Sequence, residues 1–245
     1  MTSQELAILT AQAEAGSAAA QFQLGLCHAA GDGVTQDPVV AAGWIAQAAG
    51  QGHSQAQCSL GLLCVKGEGV PQDYLAAGTW FRAAGAQEPR AAFNLALLLQ
   101  ANLAPEDYPG EGAERLRAAA AAGIPEAQYN LGIDLLETAD SLEHKSAAAE
   151  WVFAAAKAGL PDAQYQVGLM LDTGEGMTRD PLLAVEWYAL AAAQGQVSAQ
   201  YNLGLHYELG HEGLERDLAR ACELYRDAAA AGHEKAIDSL IALAG

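Results

Sequence analysis

Positive charge is scarce in this chain. Lys and Arg number 12 against 30 Asp and Glu, a formal net charge of −18 over 245 residues. A surface so poor in cations repels a phosphate backbone over most of its area, so neither nucleic acid nor an anionic membrane is an expected partner. The first lysine or arginine is Lys66, and Glu5 and Glu14 stand where a secretory signal would be apolar. The expected location is the cytoplasm. No uninterrupted apolar run approaches the roughly 18 residues of a spanning helix. Catalytic signatures are missing as well: there is no GxSxG, no serine is followed three places later by lysine, and neither His211-Glu212 nor His233-Glu234 is completed to HExxH. His206 and His211, five apart, diverge around a helix, and no metal or other cofactor is expected.

What the chain has is repetition. The heptapeptide AQYNLGL at Ala199 to Leu205 returns as AQYQVGL at Ala163, AQYNLGI at Ala127, AAFNLAL at Ala91, AQCSLGL at Ala56 and AQFQLGL at Ala20. Its glycine falls at Gly25, Gly61, Gly132, Gly168 and Gly204, with Ala96 in one copy, in steps of 36 residues and one of 35. A fixed period of this size means stacked supersecondary units. Small residues at the first and sixth places of the motif let two helices approach closely. The four cysteines, Cys27, Cys58, Cys64 and Cys222, occupy four different places in the repeat, so they are expected to be reduced thiols rather than a disulfide framework.

A second signature follows the motif: Gly31-Asp32-Gly33-Val34, Gly67-Glu68-Gly69-Val70 and Gly174-Glu175-Gly176-Met177. The first glycine suits a left-handed helix end and the second a tight turn. Asp37, Asp73 and Asp180 then read as N-caps of a second helix, with Pro38 and Pro181 in its first turn. Trp44, Trp80, Trp151 and Trp187 each come nineteen residues after their motif glycine and are expected in the core between hairpins. Ala-Ala pairs close each second helix. The third copy departs most, with Arg115 at the tryptophan place and Asn102-Leu103-Ala104-Pro105 for the glycine turn. The sixth has one extra residue at Gly210-His211-Glu212-Gly213. The expected organisation is a capping helix over 1–15, six units at about 16–51, 52–86, 87–122, 123–158, 159–194 and 195–231, and a capping helix over 233–245.

The order of small residue, aromatic, Leu-Gly, GxGV, Asp, Trp and Ala-Ala resembles the Sel-1-like repeat family, a relative of the tetratricopeptide repeats, over about residues 16–245. The resemblance implies an all-α fold, a right-handed α/α superhelical solenoid of antiparallel helix pairs. It also implies a non-enzymatic scaffold or adaptor that binds a protein or peptide. A narrower alternative is an acidic inhibitor or immunity protein for a toxin. Secreted, cysteine-rich members linked to penicillin binding or hydrolysis offer a weaker alternative, since this chain lacks their paired cysteines.

In each first helix, the places six and two before the glycine and one and five after it form one stripe. By analogy with tetratricopeptide repeats it faces the concave groove. The place two before the glycine is polar throughout: Gln23, Ser59, Asn94, Asn130, Gln166 and Asn202. The place before that is Phe22, Cys58, Phe93, Tyr129, Tyr165 and Tyr201. Amides beside aromatic walls suit an extended peptide, and packing between repeats explains the aromatic row equally well. Acidic residues gather in the later copies. The expected contacts are therefore Phe93, Asn94, Glu126, Tyr129, Asn130, Asp162, Tyr165, Gln166, Asp172, Tyr201, Asn202 and Glu208, with a partner bearing a basic or amide-rich segment.

Overall fold

A computed structural model describes residues 1–210 and 213–244. His211 and Glu212, in the longer turn of the sixth copy, and Gly245, at the end of the expected C-terminal cap, lie outside the described residues. Among the described residues the chain forms fourteen α-helices and no strand. After α1 (Ser3–Glu14) they run as α2 (Ala18–Ala30) with α3 (Pro38–Gly50), α4 (Ser54–Lys66) with α5 (Tyr74–Ala84), and α6 (Pro89–Gln100) with α7 (Glu111–Ala121). A second series follows: α8 (Pro125–Thr138) with α9 (Leu142–Lys157), α10 (Pro161–Thr173) with α11 (Pro181–Ala193), α12 (Val197–Leu209) with α13 (Leu218–Ala230), and α14 (Glu234–Ala244). Packing groups them into two compact units, Met1–Ile124 and Pro125–Gly245, each a stack of helix pairs. No helix among the described residues is long and apolar enough to cross a membrane.

The motif glycine closes five of the six pairs. A Cβ on Gly25 would stand 2.7 Å from Ile45 Cγ1, on Gly132 2.6 Å from Val152 Cγ2, on Gly168 2.6 Å from the Tyr188 ring, and on Gly204 2.6 Å from the Tyr225 ring. In these copies the second helix thus drives one large side chain into a hole that only glycine leaves open. Ile45, Phe81, Val152, Tyr188 and Tyr225 are these knobs, Leu116 holds the equivalent place opposite Ala96 in the third copy, and all six are buried. The tryptophans are corrected accordingly. They sit one residue earlier, are only half-buried, and flank the clusters: Trp44 beside Ala13 and Leu24, Trp80 beside Phe81, Trp187 against the Phe153 ring at 5.6 Å. One residue is about 100° of helix, enough to move a side chain from the seam to its rim.

The motif's glutamine is structural too. Gln21, Gln57 and Gln164 are buried, and each donates from Nε2 to the carbonyl eight residues earlier, Ala13, Ala49 and Ala156, at 3.1, 3.1 and 3.3 Å. Each amide thereby gives a second bond to a carbonyl near the end of the preceding helix that already accepts the N–H three residues on. The caps are formed as the spacing predicts. Asp37 Oδ1 accepts from the Val39 and Val40 amides, Asp73 from Ala76, and Asp180 from Leu183, and Asp217 does the same for α13. His53 and His233, which read as mere followers of the repeat glycine, accept through Nδ1 from Ala56 and Ala236 as N-caps of α4 and α14.

The irregular third copy keeps its hairpin by other means. Asn102 takes the left-handed conformation at φ 54°, with Leu103 N–H donating to Leu98 and Asn102 N–H to Leu99, so asparagine serves as the helix end where glycine does elsewhere. Arg115, at the tryptophan place, reaches Glu111 at 3.4 Å. Glu111 is fully buried and receives a two-pronged bond from Arg82 at 3.0 and 2.7 Å and another from the Asp107 amide at 2.9 Å. The Arg82 hydrogen bond holds the Glu111 carboxyl down at about 2 against the opposing cost of burial. All four cysteines are free, and burial pushes the Cys58 thiol up to about 11.

Candidate functional site

The first helices of the Pro125–Gly245 unit, α8, α10 and α12, carry most of the expected contact residues. Their motif alanines Ala127, Ala163 and Ala199 are buried against the second helices, which turns the places two and three before the glycine toward the rim. Glu126, Tyr129, Asn130, Tyr165, Gln166, Asp172, Tyr201, Asn202 and Glu208 are all half-buried there, and Asp162 is exposed. Phe93 and Asn94 belong to the Met1–Ile124 unit, where Phe93 is 7% exposed and Asn94 half-buried. The helices α8, α10 and α12 hold Glu126, Asp134, Glu137, Asp162, Asp172 and Glu208 and no Lys or Arg.

Asp172 is the most organised of these carboxylates. Its Oδ2 accepts the Tyr188 hydroxyl at 3.1 Å and faces His206 Nε2 at 2.8 Å. Tyr188 comes from α11 and His206 from α12, so three helices meet on one oxygen. Burial raises the Tyr188 hydroxyl above the ordinary phenol range, the Asp172 charge adds to this, and the nearby Asn202 amide opposes it. The phenol is thereby held as a neutral donor. The arrangement recurs one repeat later, where the Tyr225 hydroxyl of α13 donates to Glu208 Oε2 at 2.6 Å and is likewise raised, chiefly by burial and then by that bond.

Two cavities open on this face, both bordered by Asn202. One, of about 330 Å³, has aliphatic walls from Leu169, Leu205 and Leu209 with Asp172, Tyr188 and His206 at the polar end. The other, of about 400 Å³, lies between Tyr165, Tyr201, His233 and Lys235. A chain laid across Asn202 would meet an apolar wall on one side and aromatic edges on the other. Arg179 also lines the first cavity, and it and Arg216 each give Nε to a backbone carbonyl, that of Asp172 at 2.9 Å and that of Glu208 at 2.8 Å, ending α10 and α12.

The aromatic row is engaged mainly with the fold. Tyr165 packs on Tyr188 at 5.9 Å, and Tyr201 lies between Tyr225 at 5.7 Å and His233 at 4.5 Å. Tyr129 joins the core of its unit, and burial, followed by the charge of Asp162, raises its hydroxyl. Only edges remain for contact. Asp162 accepts a long bond from Gln196 Nε2 at 3.4 Å and otherwise points outward. Sequence reasoning missed Tyr188, Tyr225 and His206. The first two follow the tryptophan place as the only tyrosines among the six knobs, a signal that was present but overshadowed by the tryptophans. His206 had no signal of its own, because its partner Asp172 lies 34 residues away. Among the described residues no cluster of His, Cys, Asp or Glu is arranged to hold a metal.

The family profile for the Sel1 repeat matches residues 18–53, 54–88, 125–160, 161–196 and 197–233. It passes over 89–124, the copy in which Asn102 and Arg115 replace the usual residues. No curated protein matches the chain. Among solved structures, a Sel1 repeat protein from Oxalobacter formigenes is 26% identical, with 87% of this chain and 85% of that one covered and a TM-score of 0.75. A protective antigen present in uropathogenic Escherichia coli strains, displaying an SLR fold, is 25% identical over 97% of this chain and 67% of its own, with a TM-score of 0.53. An immunity protein from Pseudomonas aeruginosa, 19% identical over 89% of this chain and 83% of its own with a TM-score of 0.52, shares the fold alone. With five matched repeats covering well over half of its residues, and a glycine hole filled from the second helix in each of them, this chain belongs to the Sel1 repeat family.

Proposed function

We propose that the chain is an interaction scaffold, and that it holds an extended segment of a partner protein, rich in basic or amide side chains, across the first-helix face of the Pro125–Gly245 unit. Sel1 repeats are typical of protein-interaction scaffolds. The observation that carries the finer reading is the charge of these helices: six carboxylates and no Lys or Arg on α8, α10 and α12, beside two cavities that share Asn202, one lined by Asp172 and Arg179 and the other by Glu234 and Lys235. Amides at Asn130, Gln166 and Asn202 would hydrogen-bond a partner's backbone, and the carboxylates would raise the association rate and favour basic over acidic partners. No catalytic role is proposed.

The test is direct binding of a partner that co-purifies with the chain, measured by calorimetry at several salt concentrations. Asn130→Ala with Asn202→Ala should weaken binding without lowering the unfolding midpoint, and Glu126→Gln with Asp162→Asn should flatten the salt dependence. Affinity that ignores both pairs yet falls when an outer second-helix residue such as Leu190 is changed would refute the assignment. The inhibitor reading rests on the net charge of −18. It holds if the partner is a toxin whose activity is lost on binding.

A further inference from the structure

The second helix α11 is apolar on nearly every side, although one side of it is uncovered. Its single charged residue is Glu186, and Leu182, Leu183 and Leu190 are exposed. On the neighbouring second helix, α9, the place after the knob is Phe153, where the other copies have Ala46, Arg82, Arg117, Ala189 and Arg226. Phe153, Met177 and Leu183 wall a cavity of about 430 Å³ that reaches down to the buried Leu171.

This cavity is one end of a groove. Ser146, Glu150, Phe153 and Lys157 recur at helical spacing along α9, as do Leu183, Trp187 and Leu190 along α11. The Phe153 and Trp187 rings meet edge to face at 5.6 Å, which sets Lys157, one turn on, level with Leu190. From Ser146 to Lys157 the wall rises about 16 Å, or three turns. The charged groups at its two ends are already engaged. Lys157 Nζ lies 4.9 Å over the Phe153 ring, Arg179 gives Nε to the Asp172 carbonyl, and Asp180 accepts the Leu183 amide. Between them Glu150 and Glu186 are exposed, one on each helix.

We propose that this groove is a second interaction surface, which takes a short amphipathic helix of a partner protein, apolar on one face and bearing lysine or arginine on its shoulders. One large apolar side chain enters the cavity, and another, seven residues along the same helix, covers Leu190. Residues seven apart share a helix face and rise about 10.5 Å, which is also the step from Leu183 to Leu190. The basic shoulders meet Glu150 and Glu186. A second copy of the chain fits less well, because molecules of net charge −18 repel one another. None of the residues assigned to the first-helix face lines the cavity, so the two surfaces stand or fall separately.

The probe is a fluorescein-labelled alanine-lysine helix of about 18 residues, with phenylalanine, leucine and leucine at places i, i+3 and i+7, followed by fluorescence anisotropy against the full chain. One control spreads the same three apolar residues around the helix, and another has glutamate for every lysine. Covering a half-exposed leucine changes affinity about tenfold, so the one-faced lysine peptide should bind about tenfold tighter than the spread one. Leu183→Gln with Leu190→Gln, both at exposed positions, should abolish that preference and leave the urea midpoint unchanged. Glu150→Gln with Glu186→Gln should keep the preference and narrow the gap between the lysine and glutamate peptides. Absence of the preference, or its survival in the leucine variant, overturns the groove. A glutamate peptide that binds as tightly as the lysine peptide, or a gap that the glutamate variant leaves unchanged, overturns the basic occupant. Light scattering tests the remaining occupant: a dimer of the chain that the leucine changes dissolve would make it a second copy and overturn the partner helix.

Discussion

Replacing Gly168 with alanine tests the packing rule on which five of the six hairpins depend. The new methyl would stand 2.6 Å from Cδ1 and Cε1 of the Tyr188 ring, whereas carbon atoms pack at about 3.5–4.0 Å. The ring must therefore withdraw by about 1 Å, which costs on the order of 2 kcal/mol in a filled core. That movement also pulls the hydroxyl from Asp172, a bond to a charged group that contributes about 1.5 kcal/mol. Against this, alanine in a helix interior is about 1 kcal/mol better than glycine. The expected balance is a loss of about 2–3 kcal/mol. Gly43 is the control: it lies inside α3, and a Cβ there would meet nothing within 4 Å. Gly43→Ala should gain up to about 1 kcal/mol from propensity alone. Urea unfolding followed by circular dichroism measures both, with an unchanged slope confirming that the midpoint reports stability. If both substitutions raised the midpoint equally, the glycine would be a matter of helix propensity and not of a hole for Tyr188.

The same geometry ranks two neighbours: Tyr188→Ala, which empties a fully buried site, should cost about 3–5 kcal/mol, and Trp187→Ala, at the rim, clearly less, both read from urea midpoints. Glu111 makes stability depend on acid. Its folded-state pKa is depressed from 4.5 to about 2, so its contribution is complete above about pH 4.5 and is lost as pH falls toward 2. Glu111→Gln should destabilise the chain by about 2–3 kcal/mol at neutral pH and remove part of that acid dependence, as thermal melts across pH would show. Thiol titration should find four free cysteines in denaturant, with Cys58 among those unreactive in the native state, because burial holds it protonated to about pH 11. Rapid native reaction at Cys58 would contradict its place in the core.

The hairpins were legible because each copy repeats a local rule. Asp37, Asp73 and Asp180 announce a helix start, and Gly31, Gly67 and Gly174 a helix end, whatever surrounds them. The seam was legible only on one side: Gly168 marks a hole, but whether Trp187 or Tyr188 fills it depends on a rotation of one residue that composition does not encode. The third copy showed as a departure, yet its repair did not, because the Arg82–Glu111 pair joins residues 29 apart and neither belongs to the motif. At the candidate face the stripe of Asn130, Gln166 and Asn202 came from helical spacing. The contact of Asp172 with Tyr188 and His206 needs three helices in place before it exists.

Tyr188 and Tyr225 fill the seam of their hairpins and at the same time hold a carboxylate on the opposite side of it. In the last two repeats, therefore, the carboxylates of the first-helix face are held partly by fully buried side chains of the second helix. The other knobs, Ile45, Phe81, Leu116 and Val152, have no hydroxyl and carry no such message through the seam. Losing either ring would therefore loosen a hairpin and release a carboxylate at once, whereas losing only the hydroxyl would release the carboxylate and leave the seam filled.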